Sequence, residues 1–238
     1  LFENTFRNVN IALVNQLALL CERMGLDVWQ VIDAASTKPF GFMRFNPGPG
    51  VGGHCIPVDP YYLSWRARQF DFVDRFVELA ADINVAMPRH VLELTTRALN
   101  RSRRSVNGAK IMVVGVSFKA DVRDARNSPA ADVIALLRGE GADVRYLDPH
   151  VARFDDAAGA SVERLRDLRE GIAWCDAAVI VTPHKTIDFA ALFASDRLVV
   201  DTVNASSRHP HDAARVARSE EHTSELQSRQ YLVCRLLL

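Results

Sequence analysis

Up to Asn100 no stretch of this sequence reads as a β-strand, whereas from Lys110 onward short apolar runs and helical segments alternate. That change of period constrains the fold more than any other feature. Apolar residues spaced by three and four line one face of a helix, and they cannot do so on a strand, whose period is two. Phe6, Val9, Leu13, Leu17, Leu20 and Met24 keep the helical spacing and predict a buried stripe on a helix over residues 1–24. Leu13, Val14, Leu17, Leu19 and Leu20 together exceed what one face needs, which suits a helix covered on two sides, as in a dimer core. Gly25 is placed to stop this helix, and Asp27 to cap a second one carrying Trp29, Val31 and Ile32. After a proline–glycine loop, Asp59 suits an N-cap and Pro60 a first helical position. The spacing then continues through Phe76, Leu79, Ile83, Val91 and Leu94, with Pro88 predicting a kink or break.

The second half has a different texture. Residues 101–105 form a polar connector, and strands are predicted at Lys110–Gly115, Val144–Leu147, Ala178–Thr182 and Leu198–Asp201, with a helix from Ser128 to Arg138. Strands alternating with helices indicate a parallel sheet. The expectation is an α/β chain: an all-helical region over 1–104, then a doubly wound parallel-sheet domain over 105–217.

Composition removes several classes of function. Lysine and arginine total 29 in 238 residues, and aspartate and glutamate also total 29, so no net field points to nucleic acid or an anionic membrane. No apolar run approaches the roughly 18 residues that a membrane span needs. The start, Leu1-Phe2-Glu3-Asn4, has no secretory signal pattern and reads as cut rather than begun. Cys21, Cys55, Cys175 and Cys234 are scattered without a Cys-x-x-Cys pair, which suits a reducing cytoplasm and argues against a disulfide framework or a zinc site. The end, residues 218–238, reads RSEEHTSELQSRQYLVCRLLL and is similar to the translation of a sequencing-library adapter. It is taken as an artefactual tail, and Cys234 is given no function.

The stretch PGPGVGGHC, Pro47 to Cys55, is the sharpest chemical feature. Its glycines imitate a dinucleotide fingerprint, but no apolar strand precedes them and no helix opens straight out of them. Its prolines fix φ and remove donors, so the loop is stiff and lets its backbone approach a ligand. As a lone cysteine, Cys55 reads equally as a small hydrophobe or a nucleophile. The glycines before it and a helix start after it supply surroundings that activate a thiol. His54, next to it in sequence, is poorly placed to serve as its base. Lys119, Asp121, Asp124 and Arg126 alone read as a solvated charge run, although they follow a strand's carboxyl end, where α/β proteins bind ligands. Asp148 reads as an N-cap or a ribose-binding acid, and the histidines lack metal-ligand spacing.

The stretch GFMRFNPGPGVGGHCIPVDPYYLSW, with ENTFRNVNIALVNQLALLCE before it and FKADVRDARNSPAADVIALL after it, resembles the UDP-glucose/GDP-mannose dehydrogenase family, in particular its bacterial UDP-N-acetylhexosamine 6-dehydrogenases. The resemblance covers residues 1–205. It implies two Rossmann-like domains joined by a helical dimerisation region, with NAD bound by the amino domain and the UDP-sugar by the carboxyl domain. Here 1–104 would be the dimerisation region of a homodimer, carrying the catalytic loop, and 105–217 the Rossmann-like UDP-sugar domain. The implied reaction oxidises a C6 alcohol to a carboxylate for polysaccharide synthesis. In it Cys55 is the nucleophile, Asn4 steadies an oxyanion and Asp59 assists the thiol or the hydrolytic water. Asn46, Pro47, Gly48, Pro49, Gly50, Val51 and Gly52 follow the sugar and diphosphate, and Phe118 and Lys119 touch the nucleotide-sugar. Ile56, Pro57, Val58 and Arg126 approach NAD.

The chain also departs from the family pattern. A lysine expected four residues before Asn4 would precede Leu1, the NAD-binding half is missing, Val203 stands where an arginine is usual, and Asn127 replaces a usual glutamate. The chain by itself is therefore expected to be inactive as a dehydrogenase. A non-catalytic UDP-sugar-binding or dimerisation module, and a cysteine-dependent hydrolase or acyltransferase, stay open as alternatives.

Overall fold

The computed structural model describes residues 1–218. Four helices come first: α1 (Phe2–Met24), α2 (Val28–Ser36), α3 (Asp59–Arg68) and α4 (Arg75–Arg101). Gly25 ends α1 in the left-handed region at φ 66°, and the Asp27 carboxylate caps α2 through the Trp29 and Gln30 amides. Pro88 neither ends nor splits α4, which runs through it. Asp59 is not an N-cap. It is the first helical residue of α3, with Pro60 behind it, and Val58 before it offers no side-chain cap.

The stripe on α1 is placed differently from the expectation. Phe6, Leu13, Leu20 and Met24 are exposed, Leu13 at 62%, while Val9 and Leu17 are half-buried. The face buried against α4 carries Thr5, Asn8, Ala12, Asn15, Ala18 and Cys21. Small and amide side chains let the two helices approach closely, so the larger side chains are left on the other side. On α4, likewise, Phe76 and Leu79 are exposed and Ile83 half-buried, and only Val91 and Leu94 of that predicted series are buried.

The sheet contains β1 (Lys110–Val114), β2 (Asp143–Leu147), β3 (Glu163–Arg164), β4 (Ala177–Ile180), β5 (Leu198–Asp201) and β6 (Val216–Arg218), all parallel, in the order β3-β2-β1-β4-β5-β6. This is the doubly wound order of dinucleotide-binding folds, with its switch point between β1 and β4. The helices α5 (Pro129–Gly139), α6 (Leu168–Trp174) and α7 (Phe189–Ala194) supply the connections. Alternate residues of β1 serve the two faces. Ile111 and Val113 join α5 and the second half of α4, from Val91 to Leu99, whereas Met112 and Val114 meet Leu165, Leu192 and Phe193. The core of the sheet domain thus extends into a helix that begins in the helical region. Arg218, expected to open the tail, is the last residue of β6, and residues 219–238, Cys234 included, lie outside the described residues.

Candidate active site

The proline–glycine loop is held from both sides. On the helical side, Gly48 donates its N–H to Asn15 Oδ1 at 2.9 Å, Asn15 Nδ2 donates to Asn84 Oδ1 at 2.9 Å, and Asn84 Nδ2 donates to Asn8 Oδ1 at 2.7 Å and to the Asn8 carbonyl at 3.2 Å. All three asparagines are buried. A backbone N–H can only donate, so Asn15 must present its oxygen to Gly48, and the orientation of each further amide follows. Sequence reading missed this relay. The signal was available, since Asn8 and Asn15 lie seven residues apart on one face of a helix that could have been filled with apolar residues.

On the sheet side, the loop lies against the β1–α5 connection. A Cβ at Gly52 would sit 2.8 Å from the Asn127 carbonyl and 2.9 Å from both Phe118 Cβ and Pro129 Cδ, so only glycine fits. Asn127 donates its side-chain N–H to the Gly53 carbonyl at 3.1 Å. The departure at this position therefore supplies a donor that a carboxylate lacks.

The loop delivers Cys55 to the start of α3. The Cys55 carbonyl accepts the Asp59 N–H at 2.8 Å, and the Asp59 carboxylate accepts Asn4 Nδ2 at 2.6 Å. Asn4 and Asp59, 55 positions apart, are thus brought together one turn after Cys55, which is exposed. Cys21 and Cys175 are buried, and burial pushes the Cys175 thiol up to about 11. Pro57 and Val58, with Tyr61, Tyr62 and Trp65, form an open apolar groove on α3 next to Cys55, and Ile56 is half-buried beside them.

His54 faces away from a catalytic pairing. Its Nε2 lies 3.3 Å from Asp124 Oδ2, and its ring meets Phe118 edge-on at 5.8 Å. Arg126 is exposed and donates to Asp124 through Nε and Nη2, which, with the Arg126 backbone N–H, draws the Asp124 carboxyl down to about 2. Lys119 is exposed and Phe118 half-buried against Gly52 and Gly53, while Asn46 is exposed and bonded to Arg44 Nε at 3.0 Å. Val203 is half-buried against the core beneath β5.

Asp148 caps no helix. It lies buried at the end of β2, where Oδ2 accepts the Val116 N–H at 2.8 Å, the Ser117 N–H and O–H at 3.0 Å each, and His184 Nε2 at 2.9 Å. Its other oxygen takes the His150 and Val151 amides, so no acceptor capacity is left for a ribose. The Asp121 amide donates to His184 Nδ1 at 3.0 Å, which places the imidazole proton on Nε2 and makes the ring neutral. Burial pushes the Asp148 carboxyl up, but the bond from His184 and the backbone amides outweighs it and holds the group well below the ordinary range. The network pins the connection that carries Phe118 and Lys119 across the switch point.

Fold and site together define a helical region that holds an exposed thiol on a glycine loop against a doubly wound parallel-sheet domain. Residues 1–86 match the central domain of the UDP-glucose/GDP-mannose dehydrogenase family and residues 112–208 match its UDP binding domain, and the chain belongs to that family. It is 34% identical over 212 residues to UDP-N-acetyl-D-mannosamine dehydrogenase of Methanococcus maripaludis, covering 86% of this chain and 46% of that protein. To UDP-N-acetyl-D-glucosamine 6-dehydrogenase of Pseudomonas aeruginosa the identity is 39% over 153 residues, 64% of this chain and 36% of that one. The structure of UDP-D-ManNAc dehydrogenase from Pyrococcus horikoshii superposes with a TM-score of 0.78 at 31% identity, over 92% of this chain and 50% of that one. The chain spans about half the length of these relatives or less.

Proposed function

We propose that this chain is the dimerisation and UDP-sugar-binding portion of an NAD-dependent nucleotide-sugar 6-dehydrogenase acting on a UDP-N-acetylhexosamine. The observation that carries the reading is the exposed Cys55 thiol on a loop fixed at both ends, one helical turn before an Asp59 carboxylate bonded to Asn4. The relatives' names supply the substrate class.

In this reading Asn46 to Gly52 follow the sugar and diphosphate, Phe118 packs against the nucleotide-sugar, and Lys119 offers it a compact positive charge. Oxidation of the C6 alcohol leaves an aldehyde. The Cys55 sulfur adds to that carbon to give a thiohemiacetal, a second oxidation gives a thioester, and water then cleaves the carbon–sulfur bond to release the carboxylate and restore the thiol. Asn4 has two amide N–H groups: one is spent on Asp59, and the other is available to the oxyanion formed when sulfur or water adds. Asp59 accepts the proton of the attacking water.

The residues next to the thiol fit NAD. The groove of Pro57, Val58, Tyr61, Tyr62 and Trp65 is flat and apolar, as a nicotinamide face requires, and the exposed Arg126 offers charge to its phosphates. Bound there in turn, two NAD molecules would each take one of the two hydrides that the carbon gives up. The partner is a second copy of the chain, meeting across the exposed leucine stripe of α1. Scattered cysteines without a Cys-x-x-Cys pair suit a cytoplasmic enzyme.

The test uses iodoacetamide at pH 7 followed by peptide mass spectrometry. Cys55 should be alkylated ahead of Cys21 and Cys175, and saturating UDP-N-acetylglucosamine should slow that alkylation by roughly ten-fold as the sugar covers the sulfur. Labelling of Cys55 at one rate with and without the nucleotide-sugar would remove the reading.

A further inference from the structure

A cleft of about 460 Å³ opens at the C-terminal ends of β2 and β3. Arg123 reaches it from the β1–α5 connection, His150 and Arg153 from the segment after β2, and Arg164 from β3. No acidic side chain lines it. Arg164 is fixed by two bonds, from Nε at 3.2 Å and Nη2 at 2.9 Å, to the Asp148 carbonyl. That acceptor is neutral, so the guanidinium charge stays uncompensated and its remaining N–H groups are left for another ligand. Of the carboxylates on the neighbouring segments, Asp121 pairs with Lys185 and comes within 4.8 Å of a His150 ring nitrogen, Asp124 pairs with Arg126 and Asp156 with Arg138, and the exposed Asp155 lies outside the cleft lining. Asp148 itself is buried and saturated. Buried atom Nε2 of His150 has no hydrogen-bond partner among the described residues.

Three arginines and one histidine thus line a single cleft in a chain whose totals of basic and acidic residues are equal. Like charges held together repel, and a buried polar nitrogen without a partner costs free energy. An anion with several oxygens relieves the repulsion among the arginines. The cleft also lies at the carboxyl edge of a parallel sheet, where doubly wound folds take their ligands. We propose that it binds a small phosphorylated anion, a phosphate or diphosphate group held by the guanidiniums of Arg123, Arg153 and Arg164 beside the His150 ring. Guanidinium forks match phosphate oxygens in pairs, which favours phosphate over a monovalent anion. The cleft shares no residue with the loop around Cys55, so this site does not depend on the proposed function.

The probe is inorganic pyrophosphate, titrated into the full chain at constant ionic strength while the melting temperature and the His150 imidazole resonances are followed. The expected result is saturable binding that raises the melting temperature and moves the His150 signals. Arg123→Ser or Arg153→Ser, both at exposed positions, should each weaken it about ten-fold. Lys119→Ala should leave the affinity unchanged, and UDP-N-acetylglucosamine should not displace the probe. An absence of saturation would overturn the proposal. So would binding that survives both arginine variants but fails in Lys119→Ala, since the anion would then be entering the nucleotide-sugar loop. Circular dichroism of each variant separates loss of the site from loss of the fold.

Discussion

Asn84 holds its amide between two others, so its removal is felt at both ends of the relay. Asn84→Leu leaves Asn15 Nδ2 and Asn8 Oδ1 buried without partners, and an unmet buried polar group costs about 1–3 kcal/mol. Urea unfolding should show a loss of about 2–4 kcal/mol, and a loss below about 1 kcal/mol would mean that the relay contributes little beyond packing. Asp148 makes the second prediction at this scale. Its carboxyl is held well below the ordinary aspartate range, so the folded state resists protonation there. The stability it contributes is complete above the unfolded value and is lost as the pH falls below it. Stability measured from roughly pH 5 down to pH 2 should therefore fall more steeply in the wild type than in Asp148→Asn, which cannot ionise and is less stable throughout. Parallel slopes would remove Asp148 as a source of acid sensitivity.

Among the elements, the loop from Pro47 to Cys55 is decided by what packs against it rather than by its composition. Gly48 and Gly52 look alike in the sequence. At Gly48 an added Cβ meets nothing within 4 Å, whereas at Gly52 it meets a backbone carbonyl and two ring or side-chain carbons below 3 Å. Gly52→Ala should therefore cost about 1–3 kcal/mol of stability, and Gly48→Ala should be close to neutral on that measure. If calorimetry found the two variants equal, the close approach between loop and sheet domain would not matter to stability. β1 was legible because four consecutive buried residues stand out in any sequence. β3, two exposed charged residues at the sheet edge, and the six-residue α7 were not, because so short an element owes its conformation to its neighbours.

At the scale of the molecule, α4 joins the two halves: it meets α1 from Asn84 to Arg97, and its second half, from Val91 to Leu99, enters the core of the sheet. The exposed stripe of α1 is the largest question left on the surface, since leucines at this spacing are seldom left to water. The proposed homodimer covers them. Leu13→Glu should convert the chain to a monomer in sedimentation equilibrium, and an unchanged mass would place the interface elsewhere.

Helical and strand periods, caps such as Asp27 and Ser128, and the stiffness of the glycine loop follow from the order of residues alone, because each is set by neighbours within about four positions. Three outcomes do not follow from that order. They are which face of α1 is buried, that Asn8, Asn15 and Asn84 join into one relay, and that Asp148 and His184 lock the β1–α5 connection. Each joins residues tens of positions apart, and a polar side chain declares its partner only once the chain has closed around it.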